Sequence, residues 1–345
     1  MDKRIGRRYK NTRRSGKGPA SLDDLYDTFV TAKIAEGVSA RTIETYEENY
    51  RFLCDYIALE GLPREFDSVT TDLLRSYINW MLTKKRKWEG HAHKSEDEKT
   101  VGLSPVTVNT RLKGLRTMFT FLYAEDEIPY NPFDKIKPVK EPEQEIEIMT
   151  AEQMERILKS PDRKTYAGFR DFVFMNVLID GFFRINEALK IRESDINFET
   201  GLVTIPAVNA KSRKSKTVPL SRGTLKLLRD LIADNADFET DYVFLTNYGD
   251  NISDDRMRDR IKQHARKANI DVRVYPHLFR HSAATLYLEN GGEIRFLAEL
   301  LGHADLRMVL RYTHLSKKAV SEMHVKYSPI HNVTGKLSKE RRIMR

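Results

Sequence analysis

The chain has 345 residues, a single cysteine (Cys54) and a formal net charge of +9. This length is typical of two domains, and the charge favours a polyanionic partner such as nucleic acid over a basic protein without a particular partner. One cysteine excludes a disulfide within the chain and argues against a cysteine-based zinc site. No apolar run reaches the ~20 residues that a membrane-spanning helix needs, so a reducing cytoplasm is the expected compartment.

Residues 1–20 form a strongly basic segment. They contain eight lysine or arginine residues and one acid, Asp2. Together with three glycines and a proline, this composition predicts a tail that is disordered in isolation. Such a tail either follows a phosphate backbone by releasing counterions or only increases solubility.

Residues 21–125 are predicted to form a helical domain. Apolar residues recur at the i, i+3, i+4, i+7 spacing of a buried helix face over 22–35. Between two later helices, residues 84–103 are polar and charged, which favours a mobile loop or an insertion. The further helices are predicted from an N-cap at Ser39 to Leu59, from Thr71 to Thr83, and from Ser104 to Tyr123.

The last of these helices has an apolar face and a polar face. The apolar residues at 112, 115, 119 and 122 have the spacing of a buried stripe. The other face suits DNA phosphates, and a face that is merely solvated fits the same pattern. The residues predicted to bind DNA there are Asn109, Arg111, Lys113 and Arg116.

Four prolines and a series of glutamates predict an extended linker over residues 126–149. A capping box of Thr150 and Gln153 then marks the start of a second domain, predicted over 150–330. This domain mixes helices with a small β-element, and a basic tail follows over 331–345. Its predicted strands cover 201–206 and 216–220, and two of its helices cover 224–233 and 254–268.

The second domain contains residues suited to attack on a phosphodiester. Arg184 and Arg280 suit the extra negative charge of a pentavalent transition state, since a guanidinium bonds two oxygens at once. A lysine in a flexible hairpin suits protonation of the leaving oxygen. Tyrosine has a reference pKa of ~10, so Tyr312 as nucleophile requires help from cations and from histidine. Considered alone, Arg184 could be a surface arginine and Tyr312 a core tyrosine. The occurrence of all these residues in this order along the chain favours a catalytic role.

The spacing of these residues predicts how they are brought together. His277 and Arg280 are three residues apart and share one face of a predicted helix. Apolar residues over 294–301 predict the next helix, which a glycine closes, so His303 stands in a turn. A further short helix would bring Tyr312 around nine residues later.

One spacing is typical of a metal site instead. His277 and His281 are four residues apart, as in a helical zinc pair. However, Leu278 stands where the HExxH motif has glutamate, which argues against a metal.

Two ordered boxes and a lysine carry a resemblance to a known family. The first box is an arginine followed three residues later by an acid, here Arg184 and Glu187; where the family then has L-x-x-x-D, this chain has LKIRESD, which ends at Asp195. In the family, the catalytic lysine precedes a V-P-L strand; the matching position is Lys211, with Lys214 and Lys216 as its neighbours. The second box is H-x-x-R, then histidine, then tyrosine, here His277, Arg280, His303 and Tyr312. In this arrangement the chain resembles the tyrosine recombinases, or phage integrases, which include the Xer and Cre enzymes.

The resemblance covers nearly the whole chain and implies a mainly α-helical fold with a small β-sheet. Residues 21–125 would be a helical SAM-like core-binding domain and 150–330 a mixed α/β catalytic domain, forming a C-shaped clamp on double-stranded DNA. The family works as a homotetramer at specific recombination sites, through a 3′-phosphotyrosine and a Holliday junction, without metal or cofactor. Accessory DNA-bending or directionality proteins are possible partners. The resemblance implies catalysis by Arg184, Lys211, His277, Arg280, His303 and Tyr312, with Glu187 in support.

The interpretation that fits best is a site-specific recombinase that integrates or excises a phage, transposon or conjugative element. It rests on the extra length, the insertion and the basic tails. The alternatives are Xer-like resolution of chromosome or plasmid dimers, a type IB topoisomerase-like enzyme, and a non-catalytic DNA-binding regulator. The Asn131-Pro132 step favours recombination over relaxation, and a regulator has no need for Tyr312. The expected location is the cytoplasm, on the nucleoid when bound to DNA.

Overall fold

Two compact units make up the chain, which divides between residues 144 and 145. The computed structural model describes residues 20–89, 99–142, 147–210, 214–302, 324–325 and 328. In these ranges the chain is mainly α-helical with a three-stranded sheet, and each unit has its own apolar core. The predicted fold class, mainly α with a small β-sheet, is confirmed. None of the helices in these ranges is long and apolar enough to cross a membrane.

Three helices of the first unit, α2 (Ala40–Leu59), α3 (Thr71–Thr83) and α4 (Pro105–Ala124), begin at side-chain caps. The Oγ of Ser39 accepts a hydrogen bond from the backbone N–H of Thr42, and the Oγ of Ser104 accepts one from Thr107. Because a helix leaves its first N–H groups unpaired, these bonds fix the two starts that the sequence predicts. The helices of the described part of this unit are α1 (Leu22–Ala35), α2 (Ala40–Leu59), α3 (Thr71–Thr83) and α4 (Pro105–Ala124).

The segment after α4 differs from the extended linker predicted over 126–149. Its apolar side chains at Ile128, Phe133 and Ile136 are buried in the core of the first unit. The ring of Phe133 stacks on that of Phe119 at a centroid distance of 5.5 Å. The prolines therefore do not prevent this segment from packing on the core, because the apolar residues between them are buried there and Phe133 contacts α4.

The base of the insertion at 84–103 is also ordered, unlike the mobile loop that its charge predicts. Arg86 and Val101 form an antiparallel bridge, and the backbone N–H of Lys87 donates to the carbonyl of Thr100 at 2.9 Å. Gly102 allows this turn: its φ is +87°, and a Cβ there would lie 2.4 Å from a backbone oxygen. Residues 90–98, at the tip, lie outside the described residues.

In the second unit, other helices pack around a central helix, α6 (Tyr166–Asp180), and a small sheet packs against helix α11 (Ile294–Leu301). The sheet is antiparallel in the order β1 (Ile196–Asn197), β2 (Leu202–Ile205), β3 (Lys216–Pro219), and Val203 pairs with Val218. The predicted strands and both predicted helices are present, and Thr150 and Gln153 form the predicted capping box. The other elements are α5 (Ala151–Lys159), α7 (Ile185–Leu189), β1 (Ile196–Asn197), β2 (Leu202–Ile205), β3 (Lys216–Pro219), α8 (Arg222–Asp234), α9 (Asp254–Lys267), α10 (Pro276–Glu289) and α11 (Ile294–Leu301).

A buried carboxylate ties α6 to α9. Asp171 Oδ1 accepts a hydrogen bond from Arg170, and its Oδ2 lies 2.6 Å from Arg260 Nε and 2.9 Å from His264 Nε2. Burial by itself would raise the pKa of Asp171, but His264 and the two guanidinium groups outweigh it and hold the pKa below its ordinary value. Apolar periodicity gave no indication of this charge cluster.

Candidate active site

Arg184 is held by the carboxylate three residues after it. It stands just before α7, and Glu187 Oε2 accepts a hydrogen bond from its backbone N–H at 3.0 Å. The other oxygen of Glu187 accepts one from the guanidinium Nη1 at 2.7 Å. Since the Glu187 side chain is only 2% exposed, its position is fixed by packing, and it fixes the direction of the guanidinium in turn.

Lys216 brings a third charge to this carboxylate. Its Nζ lies 2.9 Å from Glu187 Oε2, and its side chain is 10% exposed. The ammonium also lies 5.0 Å from the centroid of the Phe183 ring. Lys216 reaches this position because side chains alternate along a strand, so it shares the inward face of β3 with the fully buried Val218.

The pKa values of both groups in this ion pair lie below their ordinary values. For the carboxyl of Glu187 this favours the charged form, and for the amine of Lys216 it favours the neutral form. Burial and repulsion from Arg280 and Arg184 lower the pKa of the Lys216 ammonium, although Glu187 opposes them. Burial would raise the pKa of Glu187, but Lys216 and Arg184 outweigh it and hold the pKa below its ordinary value. The carboxylate is therefore firmly ionised, whereas the ammonium is easier to deprotonate than a surface lysine.

Arg280 makes hydrogen bonds to two separate segments of the second unit, one just before Arg184 and the other at the end of α11. It lies on α10 and is 4% exposed. Its Nη1 donates to the carbonyl of Phe182, and its Nη2 donates to that of Leu301 at 2.6 Å. Phe182 precedes Arg184 by two residues and has a left-handed φ of 50°; Leu301 ends α11. Arg280 therefore holds the backbone in place at Phe182 and at Leu301.

His277 lies on the first turn of α10, where Pro276 takes the first helical position. Its side chain is exposed, in contrast to the buried Arg280 three residues later. His281 lies on the same helix, and no group of three metal-ligating side chains gathers within the described ranges. The helix predicted to carry both His277 and Arg280 is confirmed.

The described part of the site brings together Arg184, Glu187, Lys216 and Arg280. Lys211, His303 and Tyr312 lie outside the described residues, so their roles stay predictions. From sequence alone, Lys216 is only a neighbour of Lys211, and its ion pair with Glu187 is not predicted. The alternation in KTVPL was the available signal, because it places residue 216 on the same face as the apolar residue 218.

The four residues predicted to bind DNA lie on α4 of the first unit. Asn109, Arg111 and Arg116 each donate a hydrogen bond to a carbonyl or carboxylate oxygen of the same unit, between 2.6 and 3.0 Å. Lys113 is exposed. Their contact with DNA stays a prediction, and the structure gives the first three a second role in holding α4 against its neighbours.

Two family models match this chain. The phage integrase family matches residues 147–319, and the phage integrase SAM-like domain matches residues 21–138. The chain is 25% identical over 316 residues to the tyrosine recombinase XerD of Listeria innocua, covering 89% of this chain and 99% of that protein. It is 29% identical over 231 residues to the XerC of Chlamydia trachomatis, covering 66% and 72% of the two chains.

Solved structures share the fold. The integrase of the Tn1549 transposon in complex with a circular intermediate DNA superposes with a TM-score of 0.70 at 18% identity, covering 89% of this chain and 100% of that one. The XerH site-specific recombinase bound to a palindromic difH substrate gives a TM-score of 0.65 at 20% identity, covering 88% of this chain and 84% of that one.

The chain belongs to the phage integrase family, the tyrosine recombinases, which are enzymes that cleave and rejoin DNA strands. The resemblance found in the two sequence boxes is thereby confirmed.

Proposed function

We propose that this enzyme is a site-specific recombinase that exchanges DNA strands through a 3′-phosphotyrosine intermediate, with Tyr312 as nucleophile. The observation that carries the proposal is the buried carboxylate of Glu187, which holds Arg184 beside Lys216 and near Arg280. An arginine that only faces solvent does not require a buried carboxylate, 2% exposed, to orient its side chain. An arginine that binds the phosphate in the transition state does require it, because catalysis depends on hydrogen-bond donors that are already oriented.

The chemistry is an exchange of one ester for another. The Tyr312 oxygen attacks phosphorus and gives its proton to a histidine of the site; the bond to the 5′-oxygen breaks, and Lys211 gives that oxygen a proton. Arg184 and Arg280 stabilise the charge on the non-bridging oxygens, and His277 and His303 assist the phosphate and the nucleophile. A 5′-hydroxyl from a second strand then reverses the steps. Because one phosphodiester replaces another, strand joining needs no cofactor.

The proposed partner is double-stranded DNA at specific sites, bound by a homotetramer in the cytoplasm. Support comes from the positive net charge and from relatives whose solved structures contain DNA. Accessory DNA-bending or directionality proteins would act on the same complex.

A suicide substrate tests the nucleophile. DNA carrying a nick near the cleavage site loses a short fragment after attack, so the covalent protein–DNA adduct accumulates and is seen on a denaturing gel. We expect an adduct with the wild-type chain and none with Tyr312→Phe. An adduct that persists in Tyr312→Phe overturns the assignment, and no adduct with any duplex favours a DNA-binding regulator.

The proposed biological role is integration or excision of a mobile element. The fold is shared with a transposon integrase, whereas the curated relatives named here are XerC and XerD proteins, which favours dimer resolution as the second candidate. Detection of an excised circle in cells, lost in Tyr312→Phe, supports the first role. Accumulation of chromosome or plasmid dimers in the same mutant supports the second. Relaxation of supercoiled DNA without any paired site would instead indicate a topoisomerase.

A further inference from the structure

Glu187 orients Arg184, but it also brings a negative charge into a site that is proposed to bind an anion. Its carboxylate lies 2.7 Å from the guanidinium Nη1 of Arg184. Without a further cation beside it, a carboxylate in this place offsets the charge of Arg184 and repels a phosphate. In the described part of the site, the cations of this cluster are Arg184, Arg280 and Lys216. The proposed chemistry gives a role to both arginines and none to Lys216.

Lys216 is held in place along its whole side chain. The ammonium lies 5.0 Å from the centroid of the Phe183 ring. The stem passes close to the turn that ends α11, where a Cβ on Gly302 would lie 3.4 Å from Lys216 Cδ. The φ of Gly302 is +63°, so the turn favours a residue without a side chain, and the stem of Lys216 occupies the space beside it. Packing on both sides therefore fixes Lys216 beside Glu187.

The contact between Lys216 and Glu187 acts through charge. The ammonium lies 2.9 Å from Glu187 Oε2, yet its buried Nζ has no directed hydrogen-bond partner among the described residues. The hydrogen bonds that set the position of the carboxylate come instead from the backbone N–H and the guanidinium of Arg184. Removing the charge of Lys216 would leave these two donors in place and would leave their acceptor without its second cation.

This second cation keeps Glu187 ionised. Burial is the largest influence on the pKa of Glu187 and by itself would raise it. Among the groups that oppose burial and hold this pKa below its ordinary value, Lys216 comes first and Arg184 second. Without Lys216, the pKa of Glu187 would therefore rise. A protonated carboxyl is a weaker acceptor for the guanidinium than a carboxylate, so Arg184 would lose its fixed direction.

We propose that Lys216 is a positioning residue for strand cleavage, whose charge compensates Glu187 so that this carboxylate orients Arg184 without reducing the positive charge offered to the phosphate. Three cations and one carboxylate then leave the described part of the site with a net positive charge of two. A phosphodiester is a monoanion and gains negative charge as the nucleophile attacks, so this surplus favours the transition state over the ground state. The inference rests on the proposed function, because it concerns the same cleavage step.

Adduct formation on the suicide substrate tests this role when the charge and the shape of Lys216 are varied separately. Lys216→Met keeps the length of the side chain and removes its charge. We expect single-turnover cleavage to slow by roughly 10–100-fold with DNA affinity within about twofold, because the charge acts mainly on the transition state. Lys216→Arg keeps the charge and should restore most of the rate. Lys226→Met, at an exposed lysine on α8, is the matched control and should cleave at the wild-type rate. A wild-type rate in Lys216→Met, or an equal loss in Lys216→Arg, overturns the proposal.

The pH dependence shows whether Lys216 acts through Glu187. Once the pKa of Glu187 has risen, the rate of Lys216→Met relative to wild type should fall as the pH is lowered from about 8 to about 5. The other charged groups that face this pair are Arg184 and, from α10, Arg280, and neither guanidinium titrates in this range. Glu187→Gln has no carboxyl to titrate, so adding Lys216→Met to it should not change its pH profile. Parallel profiles of wild type and Lys216→Met contradict the proposal.

Carbon-13 NMR of the side-chain carboxyl groups measures the same effect without DNA. The signal of Glu187 is assigned by its loss in Glu187→Gln, and its pKa should be higher in Lys216→Met than in wild type. An unchanged pKa overturns the role of Lys216. The two proposals fail separately: a wild-type chain that forms no adduct rejects the cleavage proposal, whereas a wild-type adduct that forms equally fast in Lys216→Met rejects only the role of Lys216.

Discussion

The carboxylate of Glu187 lies 2.9 Å from the Lys216 ammonium, in a site where both side chains are almost completely buried. The same carboxylate orients Arg184, so one anion couples the arginine before α7 to strand β3. Breaking this ion pair should therefore alter both the position of Arg184 and the stability of the unit.

Glu187→Gln keeps the shape of the side chain and removes its charge. The two cations then face each other without a counter-charge, so we expect the free energy of unfolding to fall by about 3–5 kcal/mol, the scale for breaking a buried ion pair. Cleavage should also slow at saturating DNA. Urea denaturation and the suicide-substrate assay measure the two effects. Glu199→Gln, at an exposed carboxylate of the same unit, should change stability by no more than about 0.5 kcal/mol. Equal effects of the two substitutions would contradict the structural role of Glu187.

Arg184→Ala should lower the rate of cleavage by roughly 10²–10³-fold, the usual loss for one oriented donor at a transition state. DNA affinity should change little, because one contact among many phosphate contacts is lost. Single-turnover adduct formation measures the rate, and anisotropy measures the affinity. Arg184→Lys should restore only part of the rate, since an ammonium lacks the planar fork of a guanidinium. A normal rate in Arg184→Ala would remove Arg184 from the site.

Local signals in the sequence predict some helices of this fold, whereas contacts between distant segments are not predictable from them. Ser39, Ser104 and Thr150 are N-cap residues whose side chains accept local hydrogen bonds, so the starts of α2, α4 and α5 were predictable. Helix α6 was not, because it is apolar on nearly every side and so lacks the polar face that gives a period. The ion pair of Lys216 and the charges around Asp171 depend on contacts between distant segments, which one sequence does not show.

Asp171→Asn should destabilise the second unit at neutral pH and much less in acid. The pKa of Asp171 is held below its ordinary value in the folded chain, so the ionised group stabilises the fold above the ordinary value of 3.8. This contribution is lost as the pH falls through the folded-state pKa. We expect a difference of about 3–5 kcal/mol from wild type at pH 7. Urea denaturation across a pH series should show the two curves converging below pH 3.8; a constant difference would mean that the charge of Asp171 contributes nothing.

Deletion of residues 320–345 should abolish tetramer assembly on DNA. The segment that begins near Ala319 is amphipathic in sequence. The resemblance to the family implies that this part of the chain docks on a neighbouring subunit of the proposed tetramer. Sedimentation of the protein–DNA complex measures the assembly. Deletion of residues 331–345 alone is the control, because it removes the basic tail and leaves the amphipathic piece. An intact tetramer without residues 320–345 would refute the role of the tail.

The general acid can be identified by a change in the leaving group. A DNA strand with sulfur in place of the bridging 5′-oxygen releases a thiolate, which has a much lower pKa than an alcohol and needs no proton during cleavage. If Lys211 is the acid, Lys211→Ala should be slow on ordinary DNA and close to wild type on the sulfur substrate. Lys216→Ala should be slow on both, because its loss disturbs Glu187 and Arg184 rather than proton transfer. If the sulfur substrate rescues Lys216→Ala but not Lys211→Ala, Lys216 is the general acid and Lys211 is not. The acid would then lie on β3, where burial lowers the pKa of Lys216 and makes its proton easier to donate.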